Sequence, residues 1–193
     1  ADALSTLAFD YPPRAPFFRK ELREFLMLAR EEQVDPLSVT GSYAGAMGLP
    51  QFMPSSFRAY AVDFDGDGKI NIWSNPVDAI GSVASYFKRH GWQPGGAVAS
   101  RASVTGAQAE QGLSPGLDPV HKVGELRALG WSSADALDDA LAVTAFRLEG
   151  AEGAEYWLGL PNFFVITRYN RSVMYAMAVN QLAELLVDAR GAQ

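Results

Sequence analysis

Three aspartates at alternate positions, Asp63, Asp65 and Asp67, lead into Gly68, Lys69 and Ile70 within the run DFDGDGKINIW, residues 63–73. Carboxylates crowded this closely repel one another unless a cation neutralises them. Alternate aspartates on a tight turn bring hard oxygens to one point, and calcium takes about six to eight of them. Gly68, sixth from the start, permits the sharp bend, and Lys69 offers its main-chain carbonyl. Ile70 is the apolar residue that pins such a loop to a core. The twelfth place, which in a helix-loop-helix site holds a bidentate Glu, is Ser74. The first acid beyond the loop is Asp78, sixteenth from Asp63 and at the start of a helical pattern, so it is the expected closing ligand. These residues point to one EF-hand-like loop over 63–78 that holds a structural calcium ion. The competing reading is a hydrophilic turn that holds no metal. A calcium sensor is not expected, because sensors pair their loops and expose a Met-rich groove.

Several elements must position this loop. Residues 2–10 carry Ala3, Leu4, Leu7 and Ala8 at helical spacing, and Pro12-Pro13 ends them. From Ala15 to Gln33, Phe18, Leu22, Phe25, Leu26 and Ala29 mark the apolar stripe of an amphipathic helix. Its charges, Glu21 and Glu24 among them, read as a solvated surface. The stretch GSYAGAMGLPQFMPSS (41–56) spaces Gly41, Gly45 and Gly48 among Ala, Met and Pro, which lets a ligand come close to the main chain. Pro54-Ser55-Ser56 starts a short helix through Phe57 and Tyr60. Asp78 opens another, with Ile80, Val83, Ala84 and Phe87 at helical spacing and Gly91 at its end.

From about 98 to 160 the composition shifts toward Gly, Ser, Thr and Pro with alternating runs such as AVTAFRLE (142–149). This predicts a small β-containing insert with a short helix near Ser132 to Asp138. PNFFVITRYN (161–170) reads as an extended aromatic run. A final helix over 172–189 places Met174, Met177, Ala178, Leu182 and Leu185 on one face. The domain reading is therefore a helical part, 1–97, containing the 63–78 loop, an insert, 98–160, and a return to the core with a C-terminal helix, 161–193.

The net charge of −6 over 193 residues, without any Lys/Arg block, argues against nucleic acid as a partner. No apolar run approaches the roughly 18 to 20 residues that span a bilayer. The absence of cysteine rules out a disulfide scaffold and is compatible with cytoplasm and periplasm alike. His90 and His121 match no ligand pattern and read as structural. The chain opens directly in ADALSTLAFD, with neither initiator Met nor targeting signal, as expected of a chain that starts inside a longer protein.

Joined together, GSYAGAMGLPQFMPSSFRAYAVDFDGDGKINIW, DAIGSVASYFKRHGW and GLPNFFVITRYN, with LSTLAFDYPPRA (4–15) near the start, resemble a known family. This is the lytic transglycosylases of the membrane-bound and soluble type B group, glycoside hydrolase family 103. The likeness covers nearly the whole chain. It implies a mainly α (α+β) fold, with a goose-lysozyme-like helical core, a small β-containing insert and one EF-hand-like calcium loop. It also implies cleavage of the MurNAc–GlcNAc β-1,4 bond of peptidoglycan, closing a 1,6-anhydromuramyl end rather than adding water. Where most glycosidases use two carboxylates, this family is described as using one Glu. That Glu protonates the glycosidic oxygen and then, as carboxylate, assists attack of the sugar's own C6 hydroxyl on C1.

The resemblance implies saccharide-contacting roles for Ser42, Gln51, Tyr86, Tyr169, Asn170 and Tyr175. Tyrosine suits such a role, pairing a flat apolar face with a hydroxyl edge. It matches Asp63, Asp65, Asp67, the carbonyl of Lys69, and Asp78 to the family's calcium ligands. The family's catalytic Glu lies in a Glu-Ser/Thr-Arg-x-Gly segment before the LATLAF-like text, and no such segment occurs in these 193 residues. The general acid is expected upstream of Ala1. Glu21, Glu24, Glu31 and Glu32 match a different part of the pattern, so no catalytic residue is assigned. The expected function is a peptidoglycan lytic transglycosylase without organic cofactor; the alternative is a non-catalytic peptidoglycan-binding or scaffold module. The implied partners are glycan strands and penicillin-binding proteins. The implied setting is a monomer in the bacterial periplasm, its parent either anchored to the outer membrane or soluble.

Overall fold

The computed structural model describes residues 1–191, Ala109 by its backbone alone. Ala192 and Gln193, the end of the expected 161–193 segment, lie outside the described residues. Two compact units divide after Arg89. The first contains four helices: α1 (Asp2–Phe9), α2 (Ala15–Glu31), α3 (Pro54–Tyr60) and α4 (Pro76–Arg89). The second contains strands β1 (Ala99–Val104), β2 (His121–Lys122), β3 (Trp131–Ser133), β4 (Ala142–Gly150) and β5 (Gly153–Gly159). It also holds helices α5 (Val123–Ala128), α6 (Pro161–Tyr169) and α7 (Val173–Gly191). The architecture is mainly α with a small sheet, as expected. No helix among the described residues is long and apolar enough to cross a membrane.

In the first unit, α1 buries Leu4 and Ala8 one turn apart, and α2 buries Phe18, Phe25, Leu28 and Ala29. The Arg19 guanidinium ties the two by donating from Nε to the Ala8 carbonyl at 3.0 Å. Two readings of α2 need correction. Leu26 is exposed, and Glu21 is only 2% exposed rather than solvated. Glu21 lies three residues from Phe18 and four from Phe25, so the buried stripe runs through it. Its carboxylate accepts from the Ser55 backbone N–H at 2.9 Å and from the Ser55 hydroxyl at 2.7 Å. It thereby satisfies a free donor in the first turn of α3 and places negative charge at that helix's positive end. Asn75 likewise satisfies a donor at the start of α4, though without charge, its Oδ1 accepting from Val77 N–H at 3.0 Å.

In the second unit the strands run antiparallel in the order β2-β4-β5-β1-β3. Ala102, Val143, Ala145 and Leu158 alternate onto one face and pack with Val123 and Leu126 of α5 and with Trp131. Phe146 alternates onto the other face and stacks on Phe163 of α6, with centroids 4.9 Å apart. The helix expected near Ser132 to Asp138 is absent. Trp131–Ser133 instead pairs with Val104–Ala102, and the helix of this region comes earlier, where Glu125 accepts from the Lys122 N–H at 2.9 Å.

PNFFVITRY is likewise helical rather than extended. Pro161 occupies the first turn, and Asn162, Phe163, Val165, Ile166 and Thr167 are all buried. A segment buried on nearly every side carries no polar periodicity by which helix and strand can be told apart. Helix α7 forms as predicted, but its face is not a core face. Ala176 and Met177 are buried, while Met174, Leu182 and Leu185 are exposed.

Candidate functional site

The acidic loop is organised by its own carboxylates. Asp63 Oδ1 accepts from Gly66 N–H at 2.7 Å and Asp67 N–H at 3.1 Å, and its Oδ2 accepts from Gly68 N–H at 2.8 Å. Asp67 Oδ1 accepts from Lys69 N–H at 2.9 Å. Gly66 and Gly68 take φ +77° and +88°, which allows the chain to curl around the acids. One carboxylate oxygen from each of Asp63, Asp65 and Asp67 lies within 4.8 Å of the others. Oxygens bound at about 2.3–2.6 Å from one ion are separated by up to roughly that distance, so the three fit a hard divalent cation.

Asp78 is not brought into that trio. It is fully buried on α4, where Oδ1 accepts from Phe64 N–H and Oδ2 from Asn71 N–H, both at 2.8 Å. It thus clamps the loop's entry to its exit through the main chain. Burial by itself pushes this carboxyl up, but the N–H groups of Asn71, Phe64 and Asp65 outweigh it and hold it below the usual carboxylate range. Asn75 Nδ2 adds a further tie, donating to Asp65 Oδ2 at 2.8 Å.

The glycine-spaced loop forms a narrow, hydrogen-bonded fold of its own. Met47 and Phe52, both buried, exchange main-chain bonds at 2.8 and 3.0 Å. Ser42 N–H donates to the Ala46 carbonyl at 2.8 Å, and its Oγ accepts from the N–H groups of Ala44 at 3.2 Å and Ala46 at 3.1 Å. With both lone pairs so used, the hydroxyl keeps its hydrogen to donate. Gln51 sits at φ +53°, in the left-handed region that a non-glycine residue seldom adopts. Its N–H and its Nε2 both donate to the Gly48 carbonyl, at 3.1 and 2.9 Å, which leaves the side-chain oxygen as an acceptor. A glycine is required at 48, because φ is +64° and a Cβ would stand 2.6 Å from the Ile72 carbonyl oxygen.

Ser42 and Gln51 meet in one cavity of about 430 Å³, lined also by Thr40, Gly48, Leu49 and Trp73. Its walls offer a hydroxyl donor, an amide acceptor and an indole, and no titratable side chain. This suits a neutral polar ligand with an apolar face. Of the other expected site residues, Tyr86 is buried in an aromatic cluster, 4.8 Å from Tyr60 and 6.0 Å from Phe52 between ring centroids. In the second unit, Tyr169 and Tyr175 hold parallel rings 6.5 Å apart with 5° between planes. Asn170, exposed, ends α6 between them. Sequence reasoning missed Trp73 as a cavity wall and Glu21 as the anchor of α3. Trp73 stood inside the quoted loop, but nothing local distinguishes a wall residue from a core residue.

The profile described as "Transglycosylase SLT domain" matches residues 1–184. The chain is 52% identical over 189 residues to the membrane-bound lytic murein transglycosylase B of Escherichia coli (strain K12), covering 98% of this chain and 51% of that protein. It superposes with a TM-score of 0.95 on the soluble lytic transglycosylase SltB1 of Pseudomonas aeruginosa, at 70% identity over 98% of this chain and 63% of that one. It superposes with a TM-score of 0.89 on the Escherichia coli lytic transglycosylase Slt35 in complex with calcium, at 51% identity over 98% of this chain and 59% of that one. The chain thus spans between half and two thirds of the length of these relatives.

Proposed function

The chain belongs to the transglycosylase SLT domain family, and from that premise we propose that it acts as a peptidoglycan lytic transglycosylase. The reaction is cleavage of the MurNAc–GlcNAc β-1,4 bond with closure of a 1,6-anhydromuramyl ring. The observation that carries this reading is the meeting of Ser42 and Gln51 in one uncharged cavity. Ser42 donates to a saccharide or acid oxygen, Gln51 accepts from a sugar hydroxyl, and Trp73 covers an apolar ring face. Tyr86 in the first unit and Tyr169, Asn170 and Tyr175 in the second are further proposed saccharide contacts, and the parts 1–97, 98–160 and 161–193 are the working division of the chain. No carboxylate of this chain is given the general-acid role. Glu21, the one buried glutamate among the described residues, is engaged by Ser55.

Asp63, Asp65, Asp67 and the Lys69 carbonyl are the proposed calcium ligands, with Asp78 closing the loop from α4. Calcium supplies neutralisation of the three carboxylates and, bound only to the folded state, added stability. The proposed partners are glycan strands and penicillin-binding proteins. The proposed setting is the bacterial periplasm, with the protein a monomer. The test is digestion of purified sacculi by the full-length encoded protein. Anhydromuropeptide products support the reading, and reducing-end products alone would replace it with hydrolysis. The second reading is a non-catalytic peptidoglycan-binding module, in which the same cavity holds glycan without cleaving it. Binding of muropeptides without any cleavage would decide for it.

A further inference from the structure

We propose that Trp73 couples calcium occupancy of the acidic loop to glycan affinity in the Ser42–Gln51 cavity. This inference rests on the glycan-cleft reading of that cavity and goes beyond it, because it makes the metal a determinant of binding as well as of stability. Trp73 lines two cavities. One contains Ser42 and Gln51, and the other, of about 470 Å³, is bounded by Glu32, Val34, Gly68 and Asn71. Trp73 is therefore shared by the proposed sugar site and by the residues that leave the metal loop.

A short run of contacts joins the two. The Trp73 N–H donates to Asn71 Oδ1 at 3.1 Å, and the Asn71 N–H donates to Asp78 Oδ2 at 2.8 Å. Between them, fully buried Ile72 accepts from Leu49 N–H at 2.8 Å and abuts Gly48. Gly48 and Leu49 both line the Ser42–Gln51 cavity. The loop exit is thus bonded to the cavity wall along consecutive residues. The Trp73 ring itself packs against Phe57 at 5.6 Å, and its buried Nε1–H has no acceptor among the described residues. The ring follows the main chain to which it is joined, so a shift of Gly68–Asn71 is passed to it through the Asn71–Trp73 bond.

Three carboxylates gathered within 4.8 Å repel one another, and a calcium ion between them relieves that repulsion. The coupling requires that the calcium-bound and calcium-free loops hold Ile72 and Trp73 differently against the cavity, so that a glycan preferring one arrangement shifts the equilibrium. Linkage requires the effect to be reciprocal, with glycan raising calcium affinity by the same factor.

Calorimetric titration of the full chain with a GlcNAc–MurNAc pentapeptide fragment, in calcium and in chelator, tests this. The matching calcium titration is run with and without saturating fragment. The expected result is binding at least about fivefold tighter with calcium, with an equal factor in the reciprocal titration. In Trp73→Ala the factor falls to within about twofold while calcium still binds, and Trp73→Phe, which keeps a ring in the wall, retains most of it. Equal fragment affinity with and without calcium overturns the inference and leaves the glycan reading standing. Absence of fragment binding in both states overturns the glycan reading itself, and absence of calcium binding overturns the coupling. Circular dichroism of the chelated chain is run alongside. A chain that unfolds without calcium also overturns the inference, since the linkage is then global folding and not Trp73.

Discussion

Ser42 and Gln51 are held by their own loop, so each can be changed with a defined loss. Ser42→Ala removes the acceptor for two backbone N–H groups as well as the donor facing the cavity. It is expected to cost about 1–3 kcal/mol of stability, seen as a lower urea midpoint, and to weaken muropeptide binding. Gln51 separates backbone strain from side-chain chemistry. Gln51→Gly relieves the left-handed φ and is expected to match or exceed wild-type stability, whereas Gln51→Ala keeps the strain. Both lose the amide, so both are expected to bind the fragment roughly tenfold more weakly, the worth of one hydrogen bond to a ligand. Binding equal to wild type in both would remove Gln51 from the site.

Two buried carboxylates anchor elements, and their removal has different signatures. Glu21→Ala strands the Ser55 N–H at the start of α3 and is expected to destabilise by about 2–3 kcal/mol, with Glu21→Gln recovering part of it because one acceptor oxygen remains. Equilibrium urea unfolding distinguishes the two. Asp78 adds a pH dependence. Its carboxyl lies below its unfolded value of about 3.9, so its contribution is whole above that pH and is lost as pH falls through the folded value. Measured in chelator, the wild type is expected to lose stability steeply below about pH 4. Asp78→Asn, destabilised at neutral pH, is expected to show a shallower acid slope.

At the scale of the whole molecule the expected calcium effect is mass action: at one hundred times its dissociation constant the metal adds about 2.7 kcal/mol and raises Tm. Hydrogen exchange is expected to slow over residues 41–78 and to stay unchanged in β1–β5. No Tm shift on chelation would remove the structural-metal reading.

Much of this was legible in the sequence because it is local. The alternating Asp63, Asp65 and Asp67 are close enough along the chain to meet around one ion whatever else folds, and α1, α2 and α4 announce themselves by apolar spacing. What only the tertiary structure decided is where distant segments bury a residue. The helical state of PNFFVITRY, the burial of Glu21, the exposed face of α7 and the place of Trp73 at two cavities all depend on partners far away in sequence. Burial free energy depends on which surfaces meet and overrides local preference, so no window of residues contains it.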